Sequence, residues 1–198
     1  MWTWTALCQD TKLVPSWLVG GRDARWARFF MEDLALRLRG RVQLTSDGHK
    51  AYLEVVRNVF GADGIDYAML VKLYGAAYLN ENGEHRYSPS ACIGFEKTPV
   101  FGDPTWEDIC TSHVERQNLT MRMNMRRFTR LTNALSKKVE NLRYAVALHF
   151  MHYNFARRHM TLGTSPAYAA GKADHVWTLR EIAELPERYG EETLLAAA

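Results

Sequence analysis

Between residues 2 and 73, runs of strand character and of helical period follow one another in the order β-β-α-β-α-β, and this order restricts the chain to an α/β fold. Residues 2–7 alternate large and small side chains and are rich in Trp and Thr, a strand signature. The polar turn Gln9-Asp10-Thr11-Lys12 leads to a second strand over 13–19, which Pro15 confines to a sheet edge. Gly20-Gly21 ends this antiparallel hairpin. Asp23 is a natural N-cap for a helix over 24–38, with Trp26, Phe29, Phe30, Leu34 and Leu38 on one side. Residues 41–47 read as a short strand that ends in a carboxylate before Gly48. A helix over 51–60 and an apolar strand over 67–73 complete the series.

From 75 to 108 the periodicity fails. Gly83, Pro89, Pro99, Gly102 and Pro104 punctuate a long irregular insert, with a hairpin expected around 92–100; inserts this long are seldom neutral. Residues 111–130 then read as one helix, with Val114, Leu119, Met121, Met125 and Phe128 as its buried stripe. A long helix over 137–158 carries Val139, Leu142, Val146, Phe150 and Tyr153. A short segment to 170 opens at Thr164-Ser165-Pro166, and a helix over 177–185 precedes an acidic, alanine-ended tail. Residues 1–170 are expected to form one core, interrupted by the insert at about 75–110, and residues 171–198 a C-terminal helical tail.

At 198 residues the chain is long enough for one good-sized core or two small ones. No apolar run approaches the roughly 20 residues of a membrane helix, and the N-terminus lacks signal-peptide order, so a cytoplasmic protein with no membrane partner is expected. Three widely spaced cysteines suggest neither a disulfide framework nor a zinc site. The net charge of +3 says little, but its distribution says more. Arg116, Arg122, Arg126, Arg127, Arg130, Lys137 and Lys138 follow one another with no acid between them, the footprint of a DNA-facing surface or of a solvated basic helix.

Two acids stand out. Glu115 is the lone carboxylate of the basic stretch; three positions after Ser112 it also fits a capping box, so a helix-start residue and a functional carboxylate both remain open. Asp47 ends a strand where ligands of α/β sheets gather, and Gly48 allows close backbone approach. Asp-Gly after a strand is equally a plain turn. Taken together the two acids make sense as magnesium ligands, since that ion takes hard oxygen donors and keeps waters and phosphates in its octahedron. His49 and His113 flank them as polar rim residues able to orient water or meet phosphate.

Three motifs in order, Thr45-Ser46-Asp47-Gly48-His49, Ser112-His113-Val114-Glu115-Arg116-Gln117-Asn118 and Tyr153-Asn154-Phe155-Ala156-Arg157-Arg158-His159 with Leu162 and Ser165-Pro166-Ala167, resemble bacterial insertion-sequence transposases of the DDE type, most closely the insertion-sequence-one-like group. The resemblance covers nearly the whole chain. It implies a ribonuclease-H-like α/β core, a mixed sheet flanked by helices with further helices at the C-terminus. It also implies DNA strand cleavage and transfer at insertion-sequence ends, with Mg2+ (or Mn2+) held by Asp47 and Glu115 as second and third acids. The partners implied are double-stranded transposon ends and target DNA, met by a homo-oligomer. Asn118, Asn154, Arg157 and His159 would support the site, the last three by holding a helix end against the active-site floor or the DNA backbone. The family's first Asp lies on a strand before the Trp-rich hairpin, and nothing here matches it; Asp10 sits in the hairpin turn. The expectation is therefore an N-terminally truncated core with two strand edges left unpaired, either impaired in cleavage or a non-catalytic remnant that still binds DNA.

Overall fold

The N-terminal hairpin forms as expected, with β1 (Trp2–Thr5) antiparallel to β2 (Trp17–Gly20) and Trp4 opposite Leu18. Pro15 offers no N–H to a ladder, and β2 starts after it. Bonds from Ala6 N to Ser16 O (3.0 Å) and from Cys8 N to Leu13 O (2.8 Å) carry the hairpin to its turn. This computed structural model describes residues 1–61, 63–75, 92–129 and 133–196, with side chains to residue 187. It divides into two units, Gly21–Ser112 and Met1–Gly20 with His113–Ala198.

In the first of these, α1 (Ala24–Arg37) is capped by Asp23, whose Oδ1 accepts from the N–H groups of Arg25 and Trp26. It buries Ala27, Phe30, Met31 and Leu34, a three- and four-residue stripe; Phe29 is exposed, edge-on to Trp26 and under the Arg25 guanidinium. A mixed sheet of order β3-β4-β5 follows, formed by β3 (Gln43–Asp47), β4 (Asp66–Tyr74) and β5 (Cys92–Phe101), with α2 (Ala51–Phe60) between its first two strands. β3 and β4 run parallel across that helical crossover. Tyr67, Ala68, Met69 and Leu70 of central β4 are all buried, which explains the unbroken apolar run in the sequence. The hairpin expected at 92–100 is instead the single strand β5, antiparallel to β4. Pro99 is tolerated there because β5 lies at the sheet edge.

The second unit packs helices on the hairpin. α3 (Ser112–Asn124) stops short of the expected 130, and a 3₁₀ turn, Arg126–Phe128, follows an extended Met125. Asn124 is a weak helix former, and a continued helix would stack Arg122 against Arg126 at i,i+4, where like charges repel. α4 (Val139–Met151) runs into one π-type turn, His152–Ala156, closed by Arg157 N to His152 O. α5 (Pro166–Ala169) is capped by the Ser165 hydroxyl. α6 (Leu179–Ala196) passes through Pro186 and replaces the shorter helix and tail expected. Val14, Val19, Met121, Val146, Phe150 and Tyr153 form the buried cluster of this unit, with Trp17 stacked on Phe150 at 6.1 Å. Burying each of the larger side chains contributes about 1.5–3 kcal/mol. Among the described residues no helix is long and apolar enough to cross a membrane.

Candidate functional site

Asp47 closes β3 at the surface, and its Oδ1 accepts from the N–H of His49 at 3.1 Å. The turn reading of Asp-Gly is therefore realised, with the carboxylate still exposed. A Cβ at Gly48 would lie 2.8 Å from Val71 Cγ2, so the close approach that glycine permits is to the protein's own sheet. His49 Nε2 lies 2.9 Å from Arg22 O and its ring meets Tyr52 edge-on at 5.7 Å, which fastens the turn to the loop before α1. Beneath Asp47, Ser46 Oγ bonds to Tyr67 Oη (2.7 Å) and donates to Asp47 O (2.9 Å). Burial, assisted by the Asp47 charge and opposed by the Ser46 hydrogen bond, pushes the Tyr67 phenol up to about 12. Burial and then the same carboxylate push Tyr52 far above the usual phenol range. Asp47 thus stands beside two protonated phenols, with its carboxylate exposed. Tyr52 and Tyr67 went unmarked in the sequence, and Ser46 stood out only as part of the first motif; the β3–β4 register, with Ser46 opposite Met69, brings Tyr67 within diagonal reach.

Glu115 lies in the first turn of α3, and it is exposed. Ser112 begins that helix rather than capping it, its hydroxyl 2.9 Å from the Cys110 thiol. The buried side of α3 is Gln117 and Met121; Leu119, expected in the stripe, is 43% exposed. Glu115, Leu119 and Arg122 follow at four- and three-residue steps and share the outer face, with Arg116 and Met123 beside them, all exposed. Arg126 and Arg127 are exposed on the 3₁₀ turn, where Arg127 donates to Ser136 Oγ, and Lys137 and Lys138 are exposed just before α4. Asn118 is also exposed. Arg130 lies outside the described residues.

The third motif has an internal partner. The Asn154 side chain, on the π-type turn, accepts from Val14 N at 3.0 Å and donates to Val14 O at 2.9 Å, acting on that residue as a neighbouring strand would. It thereby ties the turn to the β1–β2 hairpin. Lys12, at the end of the hairpin turn, has a left-handed backbone (φ 56°), which costs a non-glycine residue roughly 1–2 kcal/mol. Its ammonium donates to Gln9 O and lies 3.4 Å from His113 Nδ1, in the first turn of α3. His159 Nδ1 bonds to Thr161 Oγ1 at 2.9 Å, and Tyr153 stands edge-on to its ring at 6.5 Å. Burial, then the positive charges of Lys12 and Arg157, lower the His159 pKa. No family model, curated protein or solved structure matches this chain.

Asp47 belongs to the Gly21–Ser112 unit and Glu115 to the other. Among the described residues no group of three or more His, Cys, Asp or Glu side chains is gathered to hold a metal ion.

Proposed function

We propose that this chain is the core of a DDE-type transposase that engages double-stranded DNA through the basic surface following Glu115. The observation that carries this reading is the exposed run Arg116, Arg122, Arg126, Arg127, Lys137 and Lys138, next to an exposed carboxylate at the head of α3. Phosphates are met by such a surface with little sequence preference. The order β-β-α-β-α-β, with β3 and β4 parallel, supports a ribonuclease-H-like arrangement. Among the described strands β1 pairs with β2, and β3 pairs with β4. Asp47 and Glu115 are the residues that would hold Mg2+ or Mn2+, a metal that supplies Lewis-acid stabilisation of the phosphate when bound. With two matching acids where the resemblance calls for three, the chain binds DNA and does not cut it. The complex on paired ends is a homo-oligomer, and the reaction belongs to the bacterial cytoplasm, where insertion-sequence DNA is met.

The test uses the purified chain, labelled insertion-sequence-end duplex and magnesium or manganese. Salt-sensitive binding without nicking is the expected result. Nicking that disappears in Asp47→Asn would show that the acids suffice as they stand. Binding indifferent to salt would sink the reading and leave α3 as a merely solvated basic helix.

A further inference from the structure

We propose that Lys12, His113, Arg157 and His159 form a binding site for a phosphoryl group in the Met1–Gly20 and His113–Ala198 unit. Three segments distant in sequence supply these groups. Lys12 comes from the hairpin turn, His113 from the head of α3, and Arg157 and His159 from the chain that leaves the π-type turn. Two contacts tie the segments together: one joins the hairpin turn to α3, the other joins the hairpin to the π-type turn that precedes Arg157 and His159. The Lys12 ammonium lies 3.4 Å from the His113 ring, and Asn154 grips both main-chain polar groups of Val14, two residues from Lys12.

Gathering these groups is costly twice over. Positive charges brought together repel, and Lys12 holds a left-handed backbone that glycine would adopt more readily. Backbone strain kept at a charge cluster is characteristic of ligand sites, where the ligand offsets the cost. The donors suit a phosphate: an ammonium with an N–H beyond those directed at Gln9 and His113, a guanidinium able to bind two oxygens, and two imidazoles. His159, disfavoured as a cation by burial and by Lys12 and Arg157, becomes easier to protonate once an anion neutralises those charges. Tyr153, edge-on to His159, supplies an apolar wall. Glu115 is two positions beyond His113, and residues so spaced do not share a helix face. The proposal therefore needs neither Asp47 nor Glu115 as a metal ligand, and it survives or fails apart from the transposase reading.

The shared chemistry is a phosphoryl anion, and the source is decided by competition. The full chain is titrated with inorganic phosphate while the His159 ring resonances are followed, in the absence of metal. A short duplex with or without a 5′-phosphate is then added as competitor. A saturable shift is expected, weakened at least tenfold in Lys12→Gly and in Arg157→Gln. Lys12→Gly relieves the backbone strain, so its melting temperature stays equal to or above that of the parent, and its lost affinity reports the ammonium rather than misfolding. Competition by both duplexes assigns the site to internal phosphodiesters. Competition by the 5′-phosphorylated duplex alone assigns it to a terminal phosphate, and competition by neither to a small phosphorylated molecule. No saturable shift with phosphate, or parental affinity in Lys12→Gly, overturns the proposal.

Discussion

His149 is buried, and its Nε2 atom has no hydrogen-bond partner among the described residues. Burial first, then the charges of His152 and Arg157, pulls its pKa down to about 4. A histidine depressed in the folded state is protonated more readily in the unfolded chain. Its contribution is intact above about pH 6.5 and is lost as pH falls toward 4, by an amount on the order of 1–2 kcal/mol after solvent screening. His149→Phe keeps the contacts with Phe150 and Tyr153 and removes the orphaned nitrogen. Urea unfolding of that variant should show higher stability at pH 5 and a flatter slope between pH 6.5 and 4 than the parent. Asn154 is a residue of the opposite kind, fully used. Asn154→Ala leaves both main-chain groups of Val14 buried and unpaired and should cost about 2–4 kcal/mol. The companion signal is faster hydrogen exchange at the Val14 amide; an unchanged exchange rate would contradict the clamp.

At the scale of elements, β1 and β3 each leave alternate main-chain groups turned away from their partner strand. Asp66 N bonds to Val42 O, and the period of a parallel ladder turns the main-chain groups of Leu44 and Ser46 toward β4 and those of Gln43 and Thr45 away from it. In β1 the bond from Ala6 N to Ser16 O sets the same alternation, with Thr3 and Thr5 turned from β2. Hydrogen exchange on the chain alone should therefore be slow at Leu44 and Ser46 and fast at Gln43 and Thr45. Protection of all four would mean that another strand covers this edge. The end of β3 is fixed just as locally. In Gly48→Ala the new methyl meets Val71, a side chain stiff at χ1, and the Asp47 turn has to shift. The expected loss is about 1–3 kcal/mol, read as a lower melting temperature, with little effect on binding by the basic surface of α3.

For the whole molecule the proposed DNA binding is read through its response to salt. Each phosphate contact adds about −0.9 to the slope of log affinity against log salt. Arg122→Ala and Arg126→Ala should each make that slope shallower by roughly one unit, across end and unrelated sequences alike. A loss confined to end DNA would instead identify a base-reading residue.

The sequence by itself determined the α/β class, the order of its elements and the concentration of basic charge behind Glu115. Those features are written locally, in period, in turn chemistry and in spacing. It determined less well where elements stop. Like charges at Arg122 and Arg126 and the weak propensity of Asn124 ended α3 early, while edge position let Pro99 sit inside β5. Only the tertiary structure decided which residues stand together. Nothing local in the chain announces that Ser46 and Tyr67 support Asp47, that Gln117 rather than Leu119 faces inward, or that Asn154 binds Val14. Those pairings join residues that are neighbours only after the chain has closed long loops, and packing, rather than propensity, selects them.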